Sequence, residues 1–202
     1  MLGIVLLRPG ADANPLAWWI ATSALRPDRL LPLAGLGVAL GLMRPFGFVA
    51  GALGLLAGIA LGFAYYEHLL APLWVLPRAA ESNFLTGPAA ALAAGLALIA
   101  PKRLRESIIA PLALLVGIAA ALAIIVTDPS VRDPSNRIAG VVIAVWLAAS
   151  VALTVRAFRR AWFDIAGRIF GSWLIAIALL YGGAALVPLR ERPAPPPEET
   201  SR

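Results

Sequence analysis

The sequence predicts an all-α fold: a polytopic membrane bundle of about six transmembrane helices, preceded by a short N-terminal interfacial segment. Three observations predict it. Of the 202 residues, 60% are hydrophobic and only 14% are charged, against about 25% charged residues in soluble domains. With a mean hydropathy of +0.84, the chain lacks the polar surface to dissolve in water. Residues 45–66, 82–101, 107–127, 138–155 and 169–189 contain no Asp, Glu, Lys, Arg or His, and a helix needs roughly 20 apolar residues to cross about 30 Å of hydrocarbon. In lipid, only helices and closed barrels satisfy the backbone. These Ala-, Leu- and Gly-rich runs lack the two-residue alternation of barrel strands.

The N-terminus, "MLGIVLLRPG", opens on a short apolar run with no basic residues before it, which argues against a cleaved signal peptide. "PLAWWIATSAL" (15–25) is apolar too, and one continuous helix over 16–43 would carry Arg26, Asp28 and Arg29 at membrane depth. Pro27 favours a break instead, because proline removes a helix hydrogen bond and disfavours helix in the residue before it. Residues 1–29 therefore read as an interfacial segment, with Trp18 and Trp19 in the headgroup layer that tryptophan prefers. A six-helix domain follows over 30–189, its helices spanning roughly 30–43, 46–66, 83–101, 107–126, 138–156 and 167–188. The first of these is only about 21 Å long at 1.5 Å per residue. Residues 69–77 form an apolar stretch too short to span, suited to a re-entrant or interfacial position. "RERPAPPPEETSR" (190–202) is proline-rich and charged, the composition of a disordered tail.

The net charge of +6, with arginine supplying all but one of the basic residues, points to topology and lipid rather than to nucleic acid. The loops after the first, third and fifth helices hold eight Lys and Arg residues, against three in the other two. Basic residues in short loops stay cytoplasmic, so the odd loops are expected in the cytoplasm and both termini outside. The absence of cysteine excludes disulfides, thiolate metal sites and a cysteine nucleophile.

Small residues spaced four apart let helix backbones approach closely in lipid. The second helix carries Gly47, Gly51, Gly54, Gly58 and Gly62, and the last carries Gly167 and Gly171. Packing inside the bundle is the ordinary role of such a stripe; an oligomer or partner interface is the alternative. The sole histidine, His68 in "YYEHLLAP", has Glu67 beside it and Glu81 across the same loop. A metal centre needs several converging ligands, so an interfacial aromatic cluster is the expected role, with no metal and no cofactor. No Ser–His pair is placed for nucleophilic work, and no catalytic residue is assigned: the chain does not read as an enzyme. Asp128 and Asp133, each before a proline, read as turn and capping residues. "RAFRRAWFDIAGR" (156–168) suits anionic headgroups.

"RPDRLL" (26–31), the stretch 76–103 and "AGRIFGSWLIAIALLYGG" (166–183) together give the chain a pattern that resembles the HupE/UreJ family, six-helix permease-like proteins linked to nickel or cobalt supply. That family opens its first helix with His-Pro and Asp-His-Leu-Leu. Here the corresponding positions are Arg26-Pro27 and Asp28-Arg29, and arginine has no lone pair for a metal. The resemblance implies a bacterial inner-membrane scaffold, with Asp28 as the family position carried over and Glu81 as a second oxygen donor. The first reading is a permease-type protein for a small ion or solute, with Arg26, Asp28, Arg29 and Glu81 around a polar path through the bilayer. The alternative is a non-catalytic accessory subunit of a larger membrane complex. The first requires those charges to face a cavity; the second requires the glycine face to be left open for a partner.

Overall fold

A computed structural model describes residues 17, 19–71, 83–127, 134–158 and 162–186. A π-helical turn, Ile20–Ala24, leads into α1 (Pro27–Gly41). The rest follow as α2 (Pro45–Ala64), the short α3 (Tyr66–Leu70), α4 (Asn83–Ile99), α5 (Lys102–Thr127), α6 (Ser135–Ala157) and α7 (Trp162–Leu186). The described residues form an all-α bundle without strands, as expected. The tail at 190–202, Trp18, Arg78, Glu81, Asp128, Arg132, Asp133, Arg159 and Arg160 lie outside the described residues, as does most of the apolar stretch 69–77.

The helix starts follow local chemistry. Arg26 and Arg44 are extended residues that precede Pro27 and Pro45, and proline at the first helical position is pre-set for the turn and forfeits no hydrogen bond. The chain therefore breaks before Pro27 as the sequence suggests, but α1 starts there rather than at residue 30. Asp28 in its first turn suits the positive end of the helix dipole. Likewise α5 and α7 begin five and seven residues before the uncharged runs do, so Lys102, Arg103, Arg105 and Asp164 are helical residues. Hydrophobic length marks the span in lipid, and these helices continue past it into polar surroundings.

Four helices, α2, α5, α6 and α7, are long and apolar enough to cross a membrane. This is the make-up of an integral membrane protein. The 15 residues of α1 and 17 of α4 are shorter, about 22 and 25 Å at 1.5 Å per residue. These two sit at the centre, where α1 packs on α6 and α4, and α4 packs on α1, α5 and α7. The most extensive pairing joins α2 to α5. Half of the α5 span is buried against 22% of that of α7, so the bundle has an inside and a rim.

The core is built from small residues: Ala93, Ala94, Ala97, Ala113, Ala148 and Ala152 pack around Leu36, Leu98, Ile109 and Leu174. The glycines take the closest approaches. A Cβ at Gly54 would lie 2.5 Å from the Ala110 carbonyl oxygen, and one at Gly58 would collide with that of Leu114. Gly47 faces the Met43 side chain, Gly51 faces Leu40 and Ile109, and Gly62 faces Ala121. The stripe on α2 is thus consumed inside the bundle, chiefly against α5. Gly171 and Gly95 face each other's carbonyl oxygens across α4 and α7, and Gly167 sits near Leu42 and Leu98.

Candidate functional site

The charges of "RPDR" separate because a helix turns by about 100° per residue. Arg26, just outside α1, donates from Nε to Asp28 Oδ1 at 3.1 Å, and this ion pair is exposed. Arg29 points the other way, into the bundle. Its Nη2 donates to the Ala123 carbonyl oxygen at 2.7 Å and to Thr127 Oγ1 at 2.7 Å. The Thr127 hydroxyl donates in turn to the Ala123 carbonyl oxygen at 2.8 Å. The last carbonyls of a helix have no partners within it and carry partial negative charge, so Arg29 caps the end of α5.

Trp19 completes the cap. Its indole Nε1 donates to the Thr127 carbonyl oxygen at 3.0 Å, and the ring is fully buried beside Ile124 and Gly140. An acceptor at the end of α5 satisfies the indole N–H, so the Trp19 ring packs against the bundle instead of standing free at its surface.

A cavity with about 40 Å³ of free space adjoins the cluster, enough for on the order of three waters. Asp28 and Arg29 line it from α1, Thr86 and Gly87 from α4, Ala119 and Ala123 from α5, and Gly140 and Ala144 from α6, with Trp19 on one side. Alanine, glycine and aliphatic side chains form most of the wall. Both short helices begin here: Asp28 is in the first turn of α1 and Thr86 in that of α4.

Arg29 has no ion pair among the described residues, and its Nη1 is enclosed without a hydrogen-bond partner. Arg105 also has an enclosed donor without a partner, its Nε, and differs in its counter-ion. It is 3% exposed and donates from Nη2 to the carbonyl oxygens of Leu98 (2.8 Å) and Ala100 (3.1 Å), at the end of α4. Unlike Arg29 it has a counter-ion, Asp164 at 3.7 Å, which Lys102 also approaches at 3.1 Å.

Of the four residues expected around the path, the structure pairs Arg26 with Asp28, places Asp28 and Arg29 on the cavity wall, and leaves Glu81 outside the described residues. Glu67 and His68 are exposed. The Tyr66 hydroxyl donates to Glu67 Oε1 at 2.9 Å, which holds its proton above the usual tyrosine range. Tyr65 stands edge-on to the His68 ring. No three His, Cys, Asp or Glu side chains converge among the described residues. Sequence reasoning missed Trp19 and Thr127 as members of this cluster. Their only signal was a polar atom at the edge of an apolar run. No family model, no curated protein and no solved structure matches this chain.

Proposed function

We propose that this chain is a permease-type protein of the bacterial inner membrane, a divergent member of the HupE/UreJ scaffold that passes a small ion or solute. Its solute site is the cavity between α1, α4, α5 and α6. The observation that carries this reading is that Asp28 and Arg29 line a partly open cavity between the helices. Ionisable residues kept inside a membrane bundle mark solute and ion paths by default, because burying them is costly. The two short central helices starting at the cavity add support, since transporters place solute sites at the ends of interrupted helices. The odd connections face the cytoplasm and both termini the outside. Nickel and cobalt are poor cargo, because guanidinium groups replace the imidazoles. The accessory-subunit reading needed an open glycine face, and α5 covers that face.

Reconstitution tests the reading. Stopped-flow light scattering of proteoliposomes, with urea, sodium formate and sodium nitrate as osmolytes, should show faster equilibration of at least one solute than in protein-free vesicles. Ala144→Trp, which fills the cavity, should abolish the gain. Rates equal to those of empty vesicles for every solute would overturn the proposal. A micromolar stabilisation by nickel that Asp28→Asn removes would return metal to the list of cargoes.

A further inference from the structure

Buried charges in proteins are paired with a counter-ion or a full set of hydrogen bonds, since an uncompensated ion in low dielectric is expensive. Arg29 has neither among the described residues. It is half-buried, its Nη2 is spent on Ala123 and Thr127, and its Nη1 is enclosed with no acceptor. The Asp28 carboxylate, on the same helix and the same cavity wall, is already engaged by Arg26 at 3.1 Å. Among the described residues, two guanidinium groups and one carboxylate leave one positive charge at the cavity. The α1 and α4 N-termini, whose dipoles present partial positive charge, begin at the same wall. The α5 C-terminus, which would oppose this field, is capped by Arg29 itself.

From this imbalance we infer that the cavity binds a small monovalent anion, with Arg29 as the cationic anchor. The inference rests on the permease reading for its meaning, since the anion would be the solute, but its site stands or falls by itself. The free space of about 40 Å³ holds a halide, nitrate or formate whole, so small anions are the expected occupants. Asp28 does not repel the occupant as a free carboxylate would, because Arg26 neutralises it at the exposed side. Trp19 and the aliphatic wall restrict the water that would otherwise screen the Arg29 charge, which strengthens its attraction for an anion.

The test is thermal unfolding of the purified protein in mild detergent, with sodium gluconate exchanged for sodium nitrate or sodium chloride at constant ionic strength. Gluconate is too large for the cavity and serves as the inert anion. Nitrate should raise the melting temperature in a saturable manner. Arg29→Lys keeps the charge but loses the planar fork, and should weaken the apparent affinity about tenfold, the equivalent of one charge-assisted hydrogen bond. Because changes at Arg29 also touch the α5 cap, Gly87→Ala gives an independent check. A Cβ there meets Asp28 at 3.4 and 3.5 Å, ordinary contacts, so the fold tolerates the methyl group while the cavity shrinks. This variant should melt as the wild type does in gluconate and lose its response to nitrate. Equal melting temperatures in all three salts would overturn the inference, as would wild-type nitrate affinity in both variants. Anion binding without flux in the vesicle assay would leave the site standing and remove the permease reading. Flux of urea without any anion effect would do the reverse.

Discussion

Arg29, Arg105 and Arg156 each reach the end of a helix other than their own. Arg29 caps α5, Arg105 caps α4, and Arg156 Nη1 donates to the Met43 carbonyl oxygen just past α1 at 3.5 Å while standing over the Phe48 ring. Guanidinium is suited to this, having five donors, a permanent charge and a fork wide enough for two carbonyls. These contacts decide which substitutions hurt. Arg105→Met should lower the melting temperature in detergent by several degrees, because it leaves the Leu98 and Ala100 carbonyls unpaired in a buried place. Hydrogen bonds to charged groups are worth about 1.5–3 kcal/mol each. Asp28→Asn should move it by no more than the ~0–1 kcal/mol of an exposed ion pair. A large loss in the second variant would place Asp28 deeper in the bundle than its exposure indicates. Trp19→Phe keeps the buried ring but removes the donor to Thr127, so a cost of about 1 kcal/mol is expected from the same unfolding curves.

Glycines set how closely the elements approach. The α2–α5 contact brings backbone to backbone: Gly58 faces the Leu114 carbonyl, and Gly117 faces the Leu55 carbonyl and the Gly58 Cα. No rotamer change relieves a side chain placed there, because the obstacle is main chain. Gly58→Leu should therefore separate α2 from α5 and strongly destabilise the protein or abolish its accumulation in the membrane. Gly183 is the internal control. It lies in α7, is exposed and has nothing within 4 Å of a Cβ, so Gly183→Leu should leave the melting temperature unchanged. Similar losses in both variants would mean that glycine content itself, and not its placement, matters. In lipid this close packing replaces the hydrophobic drive that holds soluble helices together.

For the whole molecule, the three connections at one end of the bundle hold eight Lys and Arg residues, against three in the two connections at the other end, with six more in the terminal segments. By the positive-inside bias of the loops, the proposed topology predicts that the cavity opens outward. The absence of native cysteine makes single-cysteine labelling clean. Arg103→Cys and Phe158→Cys, both at exposed positions, should resist a membrane-impermeant maleimide added to intact spheroplasts and react once the membrane is opened. Glu67→Cys, exposed near the opposite end, should react at once. The reverse pattern would turn the cavity toward the cytoplasm. Helix pairing also joins distant parts of the chain: α2 packs on α5, α1 on α6 and α4 on α7. Truncation after α4 therefore removes the main partners of α1, α2 and α4.

The order and approximate limits of the long helices were legible in the sequence, because in lipid each span must satisfy its own backbone and so advertises itself as a long uncharged run. The break before Pro27 was legible for a similarly local reason, the fixed backbone angle of proline. The spacing of Gly47 to Gly62 identified a packing face but not its partner, since the periodicity of one helix carries no information about another. Arg26, Asp28 and Arg29 read as one cluster when written in a line. Only the bundle separated them, leaving Arg26 and Asp28 paired at the exposed side and sending Arg29 to Ala123, which lies 94 positions away in the chain. Trp19 likewise meets Thr127 across 108 positions. Composition placed the indole at an interface because that is where an apolar ring with one donor usually finds water. The fold supplied a carbonyl instead, and a choice between two such acceptors depends on what tertiary packing brings within 3 Å.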